Sequence, residues 1–111
     1  MMQYTQGQVE RMIQEAMLEA NKAAQNALAI HGDRDACGFA WVNIHGIKGN
    51  TKLGKMLKAA GVRQDYTKAF QIWNPAGRGV QNVDTLEAGA EAAAKVFEKY
   101  GFQAYAGSRL D

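Results

Sequence analysis

The residues best suited to chemistry in this sequence are lysines and arginines concentrated in its middle third. Between Gly46 and Arg78 there are seven basic residues and a single acid, Asp65. Residues 1–45 and 79–111 each hold five acids and three bases, so the whole chain carries only +2 at pH 7. Charge segregated in this way along a short chain favours one strongly basic surface and an anionic partner.

Candidate phosphate contacts come from this basic segment and from the end of the chain. Arg78 stands between two glycines in the loop 74–82, so its side chain could clamp a phosphate or simply be solvated. Arg109 could lie at a pocket or interface, or form a surface salt bridge, which would contribute little. The predicted anion-binding residues are Lys48, Lys52, Lys55, Lys58, Arg63, Arg78 and Arg109.

The most specific local motif is G-x-x-x-x-G-K at residues 49–55, between a predicted strand and a predicted helix. Phosphate-binding loops use such glycines, the amides of the helix N-terminus and the lysine. The position after Lys55 must then be Ser or Thr to hold magnesium, and here it is Met56. The motif therefore argues against a nucleotide-hydrolysing loop. It is compatible with a helix capped by Asn50 or Thr51, or with a weaker attraction for phosphate.

Aromatic residues form a second constellation on the predicted strands. Alternation along a strand places one set of side chains on a common face. That set is Phe39, Trp41, Asn43 and His45, then Gln71 and Trp73, then Gln103, Tyr105 and Arg109. If the face is uncovered, Trp41, Trp73 and Tyr105 are candidates for stacking bases, as in sheet-based single-strand binders. Alternatively, the first helix covers this face and the aromatics form a second core.

The elements that must position these residues are three helices and three strands in the order α-β-α-β-α-β. The first helix is predicted over 5–31, with a capping box at Thr5 and Gln8 and an end at Gly32. The remaining βαβαβ core, residues 37–111, has strands at 37–45, 68–74 and 102–108 and helices at 51–60 and 84–100, the last capped by Asp84. A helix between successive strands predicts parallel neighbours. The fold class is α/β, with α+β as the alternative, in one domain spanning residues 1–111.

Alternation also predicts which side chains form the core. The inward sheet positions are Ala40, Val42, Ile44, Phe70, Ile72, Ala104 and Ala106. The apolar stripe of the first helix is Val9, Ile13, Ala16, Ala20, Ala23, Ala27 and Ile30. A helix of this length measures about 39 Å and must span or protrude from a domain of this size. Its alanine-rich seam could pack along its own domain or mediate a homo-oligomer.

Several function classes find no support in the residues. Cys37 is the only cysteine, so no intramolecular disulfide is available, and it is expected in the core. His31 and His45 with Cys37 are too few and too scattered for a metal site. No spacing pairs two carboxylates, and Ser108 has no assigned base. The sequence indicates a cytoplasmic, non-enzymatic protein without cofactor, metal or membrane segment.

The strings C-G-F-A-W-V at 37–42 and A-Y-A-G-S-R-L-D at 104–111 resemble those of a family of small accessory proteins encoded mainly by tailed bacteriophages. The resemblance spans most of residues 37–111, including the helix at 51–60 and the corner at Trp73 and Asn74. It implies a phage protein acting in the cytoplasm of an infected bacterium. It carries over no catalytic residue.

The function predicted from these observations is binding of an anionic partner, foremost nucleic acid or a nucleotide. Lysines and arginines would contact phosphates, and the aromatic residues would stack bases. Two alternatives remain. The protein could be an inhibitor that binds an acidic surface of a host protein, or a homo-oligomer that sequesters a small nucleotide signal at a subunit junction.

Overall fold

A computed structural model describes residues 4–32, 38–77 and 82–110 and shows a long helix followed by a small mixed α+β unit. In chain order the elements are α1 (Gln6–His31), β1 (Gly38–His45), α2 (Lys52–Ala59), β2 (Arg63–Gln64), β3 (Phe70–Trp73), α3 (Val83–Lys99) and β4 (Gln103–Leu110). The predicted long helix, small sheet and intervening helices are confirmed, with the short strand β2 in addition. The predicted core position of Cys37 lies outside the described residues.

The sheet has the strand order β2-β3-β1-β4, and every neighbouring pair is antiparallel. The prediction of parallel neighbours is therefore wrong. Each helical crossover does join parallel strands, β1 to β2 through α2 and β3 to β4 through α3. In both cases, however, another strand lies between the two. This is the split β-α-β arrangement of ferredoxin-like folds.

One face of the sheet forms the core, as the alternation predicts. Ala40, Val42 and Ile44 of β1 are each at most 1% exposed, and the side chains opposite Ile44, Phe70 and Ala104, are buried with it. The predicted core positions Ile72 and Ala106 are half-buried and pack against the core from its margins. All three helices contribute side chains to the apolar core on this side.

Helix α1 begins and ends where its capping residues predict. The Thr5 hydroxyl accepts a hydrogen bond from the Gln8 amide at 3.2 Å, and the Gln8 side chain accepts one from the Thr5 amide at 2.9 Å. Gly32 ends the helix with a φ of 73°, a conformation that favours glycine. At about 39 Å, α1 runs along most of the molecule's longest dimension, which is 43 Å.

The alanine seam of α1 is buried within its own domain, mainly against α3. Its buried side chains are Val9, Met12, Ile13, Ala16, Ala20 and Ala24. Ile30 is 75% exposed, so the predicted stripe is wrong at its C-terminal end. Gly89 of α3 permits the close approach, because a Cβ there would lie 2.8 Å from the Ala76 Cβ and 3.1 Å from the Ala20 carbonyl oxygen.

We expect Gly89→Val to destabilise the fold by about 1–3 kcal/mol, because the added side chain overpacks a filled contact. Urea denaturation measures the difference. The matched control is Gly7→Val in α1, where a Cβ would meet nothing within 4 Å. An unfolding midpoint of Gly89→Val equal to that of this control would contradict the close packing of α1 on α3.

A polar contact also joins the two helices. Glu15 accepts hydrogen bonds from the Lys99 ammonium and, at 2.6 Å, from the Tyr100 hydroxyl. These partners, Lys99 above all, hold the pKa of the Glu15 carboxyl below its ordinary value. Because the folded pKa lies below the unfolded one, the stabilisation is complete above the unfolded pKa and is lost as pH falls through the folded pKa.

We therefore expect Glu15→Gln to flatten the acid side of the stability profile, measured as the thermal midpoint at successive pH values. The matched control is Glu91→Gln, at an exposed carboxylate of α3 that has no ion pair among the described residues. The interpretation fails if both variants keep the acid dependence of the original protein.

The N-terminus of α3 differs from the prediction. The cap is Asn82, not Asp84: its side-chain oxygen accepts hydrogen bonds from the amides of Asp84 at 2.8 Å and Thr85 at 3.1 Å. Its side-chain amide donates to the Gly32 carbonyl at 3.1 Å, which ties the start of α3 to the end of α1. Nowhere in the described ranges is a helix both long and apolar enough to span a bilayer.

Candidate functional site

The face of the sheet opposite the core gathers the aromatic residues that alternation places together. Trp41 is directly opposite Trp73 on one side and Gly107 on the other, and Asn43 is opposite Gln71 and Tyr105. We define the aromatic face as Phe39, Trp41, Trp73 and Tyr105, with Asn43, His45, Gln71 and Arg109 among them. The structure thus brings all three predicted stacking residues to one surface.

The aromatic face is open. Phe39 is 40% exposed, Trp73 49% and Tyr105 61%. The alternative, in which α1 covers this face, is wrong, since α1 packs against α3 and the opposite face. Exposed aromatic side chains gathered in this way form the kind of surface patch that binding sites use in other proteins.

The two tryptophans are held in place by their neighbours. The Trp41 indole lies across Gly107, where any Cβ would overlap it. The Trp73 ring is 5.0 Å from that of Trp41, centroid to centroid, at 39°. The Trp73 Nε1–H donates to Gln71 at 2.6 Å, and the Gln71 side-chain amide donates to Asn43 at 3.0 Å. This chain of bonds orients the Trp73 ring on the sheet.

Two arginines flank the aromatic face. The Arg109 guanidinium lies 5.4 Å from the Phe39 ring centroid and 6.0 Å from that of Trp73, within cation–π range. Arg63, on the edge strand β2, is opposite Gln71 and exposed. It lines an open groove of about 570 Å³ that also borders Trp73. Two of the three predicted anion-binding arginines, Arg63 and Arg109, therefore lie beside a stacking residue, Trp73.

The predicted lysines separate into two groups. Lys52 and Lys55 are exposed on α2, the helix whose Leu57 packs into the core. Lys48 and Lys58 instead line an open pocket of about 570 Å³ at the end of the sheet, together with Lys68. We call this the lysine pocket. Sequence reasoning did not select Lys68 as a site residue, because the predicted strand 68–74 included it.

Lys68 lies in a tight turn that Asp65 organises. The Asp65 carboxylate accepts hydrogen bonds from the Thr67 hydroxyl at 2.6 Å, the Thr67 amide at 2.8 Å and the Ala69 amide at 3.1 Å. These bonds, the Thr67 hydroxyl above all, lower the pKa of Asp65. An aspartate followed two residues later by a threonine is a turn signal. It could have moved the predicted start of the strand at residue 68 further along the chain.

The G-x-x-x-x-G-K motif forms a helix cap rather than a phosphate-binding loop. The Thr51 hydroxyl accepts from the Gly54 amide at 3.1 Å and donates to the Lys48 carbonyl at 2.6 Å. A Cβ at Gly54 would overlap that same carbonyl, so the glycine serves the packing of the loop onto α2. The Gly54 amide, which a bound phosphate would need, already donates to the Thr51 cap.

The remaining candidates are more limited. Arg78 lies outside the described residues, as does Cys37. Within the described ranges, no three His, Cys, Asp or Glu side chains come together as a metal site would require. No protein-family model matches the sequence, and comparisons with curated proteins and with solved structures likewise find no match.

Proposed function

We propose that this protein binds single-stranded nucleic acid through the aromatic face. The observation that carries the proposal is the exposure of Tyr105 and of Trp73, the latter beside the guanidinium of Arg109, on a sheet whose other face supplies the core. Each base has a π-face that can stack on such rings, and each phosphate can be met by a flanking cation. Four-stranded antiparallel sheets with helices behind them bind RNA in this manner in other proteins.

A single strand fits this surface better than a duplex does. In a duplex the bases stack on one another, so their faces are closed to protein side chains, whereas unpaired bases can be splayed onto aromatic rings. The aromatic residues also lie on the face of a sheet, whereas a major groove admits a protruding helix or a two-stranded ribbon. The side-chain amides of Gln71 and Asn43 lie between the rings, within reach of base edges.

The proposal is tested by titrating the protein with single-stranded DNA, duplex DNA and RNA at low and moderate salt while following tryptophan emission. Trp41 and Trp73 are the only two tryptophans in the chain, so tryptophan emission reports on the aromatic face alone. We expect salt-sensitive binding of single strands with strong quenching, and weaker binding of duplex DNA.

Each outcome has a defined meaning. Binding without quenching would leave the cations as the contact and discard the stacking surface. Equal affinity for duplex and single strand would also contradict stacking, because only phosphate contacts are common to both. Absence of binding at either salt would overturn the proposal.

A second candidate is a protein partner docked on the same face. Tryptophan, tyrosine and arginine are the residues that dominate the energetics of protein interfaces, and the aromatic face presents all three at its surface. Capture of one host protein that survives nuclease treatment and is lost in Trp73→Ala would favour this candidate. Loss of the captured protein after nuclease treatment would favour nucleic acid.

The resemblance to phage accessory proteins supports a place for this activity in the cytoplasm of an infected bacterium. Unpaired nucleic acid is exposed there when DNA is replicated or transcribed. Crosslinking in infected cells, followed by sequencing of the attached nucleic acid, tests this setting. Recovery of no crosslinked nucleic acid from infected cells would contradict it.

A further inference from the structure

The lysine pocket adjoins one end of the aromatic face and has a consistent chemistry. Its walls include Lys48, Lys58 and Lys68, along with His45 and Gln64, and none of its lining residues is an acid. Among the described residues, none of these three lysines takes part in an ion pair. One oxygen of the nearby Asp65 carboxylate, Oδ1, accepts three hydrogen bonds within its own turn.

The loop at Gly49 and the turn at Lys68 position two of the pocket's lysines. At Gly49 a Cβ would lie 2.9 Å from the Lys58 ammonium and 2.8 Å from the Gln64 side-chain oxygen, so both groups lie over the loop. Lys68 has a φ of 72°, a backbone conformation that residues other than glycine rarely adopt. The surrounding turn imposes it, since Gln64 also donates to the Lys68 carbonyl at 2.9 Å. Strain of this kind, where it persists, often accompanies a functional role.

The pocket and the aromatic face form a continuous surface. His45 lines the pocket, and its ring is 5.4 Å from the ring of Tyr105 on the aromatic face. Trp41 and His45 are four residues apart on β1, so Trp41 lies about 13 Å further along the strand from the pocket. A strand whose bases lie on the aromatic face can therefore place a phosphate in the pocket without leaving the protein.

We propose that the lysine pocket binds a terminal phosphate of the strand, a phosphomonoester, rather than an internal phosphodiester. This inference rests on the proposed function. A monoester carries close to two negative charges at pH 7, and a phosphodiester carries one. Three ammonium groups without carboxylate partners match the higher charge, and a pocket at the end of the stacking surface suits the end of a strand.

The test compares short oligothymidylates with a 5′-phosphate, with a 3′-phosphate and with hydroxyls at both ends, together with thymidine monophosphate. We expect one phosphorylated oligonucleotide to bind about 10- to 100-fold tighter than the hydroxyl form, as hydrogen bonds to a charged group predict. The double variant Lys58→Gln, Lys68→Gln should lose this preference, so that its affinity falls far more for the phosphorylated form than for the hydroxyl form. The control, Lys52→Gln and Lys55→Gln on α2, should keep the preference.

Other outcomes overturn the inference in distinguishable ways. Equal affinity for all three oligonucleotides overturns the terminal-phosphate site and leaves the proposed function standing. A preference that persists in the pocket variant places the phosphate elsewhere and overturns it too. Thymidine monophosphate bound as tightly as the phosphorylated strand would make the ligand a free nucleotide instead of a strand end. Failure of every oligonucleotide to bind removes the proposed function and this inference together.

Discussion

Replacing Trp73 and Tyr105 together by alanine is expected to weaken binding of a single-stranded oligonucleotide by about 30-fold to 10⁴-fold. Stacking of one base on one aromatic side chain is worth about 1–3 kcal/mol, and two such contacts add to about 2–6 kcal/mol when they act independently. Fluorescence anisotropy of a labelled oligonucleotide measures the change, since the variant has lost one of its two tryptophans.

This double variant should remain folded, which makes its result interpretable. Trp73 and Tyr105 are 49% and 61% exposed, and neither belongs to the buried core. The matched control is Leu18→Ala, which removes an exposed apolar side chain from α1 on the helical side of the molecule. The single variant Trp73→Phe keeps a ring at this position and leaves Tyr105 in place, so it should bind far more tightly than the double variant. If the double variant binds like the Leu18→Ala control, bases do not stack on this face.

The alternation of apolar and polar residues was sufficient to predict the two faces of the sheet. Ala40, Val42 and Ile44 point to one side, and Trp41 and Asn43 to the other, because successive side chains on a strand alternate. That pattern depends only on local backbone geometry. The capping box at Thr5 was predictable for the same reason, as it involves residues three apart.

Strand order and direction depend on contacts that are distant in sequence, and the prediction failed there. The helix between β3 and β4 suggests that these two strands are parallel neighbours. They are parallel, but β4 pairs with β1, so that β1 lies between β3 and β4. The two-residue strand β2 is too short to produce an alternating pattern. Lys68, which follows β2, was assigned to the next strand because the turn made by Asp65 contains no proline or glycine that would mark it in the sequence.

Whether the aromatic face is open was likewise decided by long-range packing. The alanines of α1 allow a close approach to any small-residue surface, and Gly89 of α3 provides one on the core side. Once α1 lies there, nothing in the described part of the chain remains to cover Trp73. Because the core and the aromatic face lie on opposite sides of one sheet, we expect that the exposed residues of the aromatic face can be changed with little loss of stability.

Reversing the charge of the two flanking arginines, by Arg63→Glu with Arg109→Glu, is expected to weaken oligonucleotide binding by several kcal/mol, at least about 100-fold. A carboxylate placed where a phosphate must pass adds like-charge repulsion to the loss of the cation. Each lost phosphate contact lowers the slope of log affinity against log salt by about 0.7 on a single strand, so the slope should fall by about 1.4. Titrations at several salt concentrations measure both quantities.

The control for this prediction carries the same change in net charge at another place. Lys52→Glu with Lys55→Glu reverses two exposed cations on α2, which neither flank the aromatic face nor line the lysine pocket. It should weaken binding far less and leave most of the salt slope in place, because charges beyond about 8–10 Å are largely screened at physiological salt. If both double variants lose affinity equally, the protein attracts nucleic acid through its overall charge. The arginines beside Phe39 and Gln71 would then have no special part in binding.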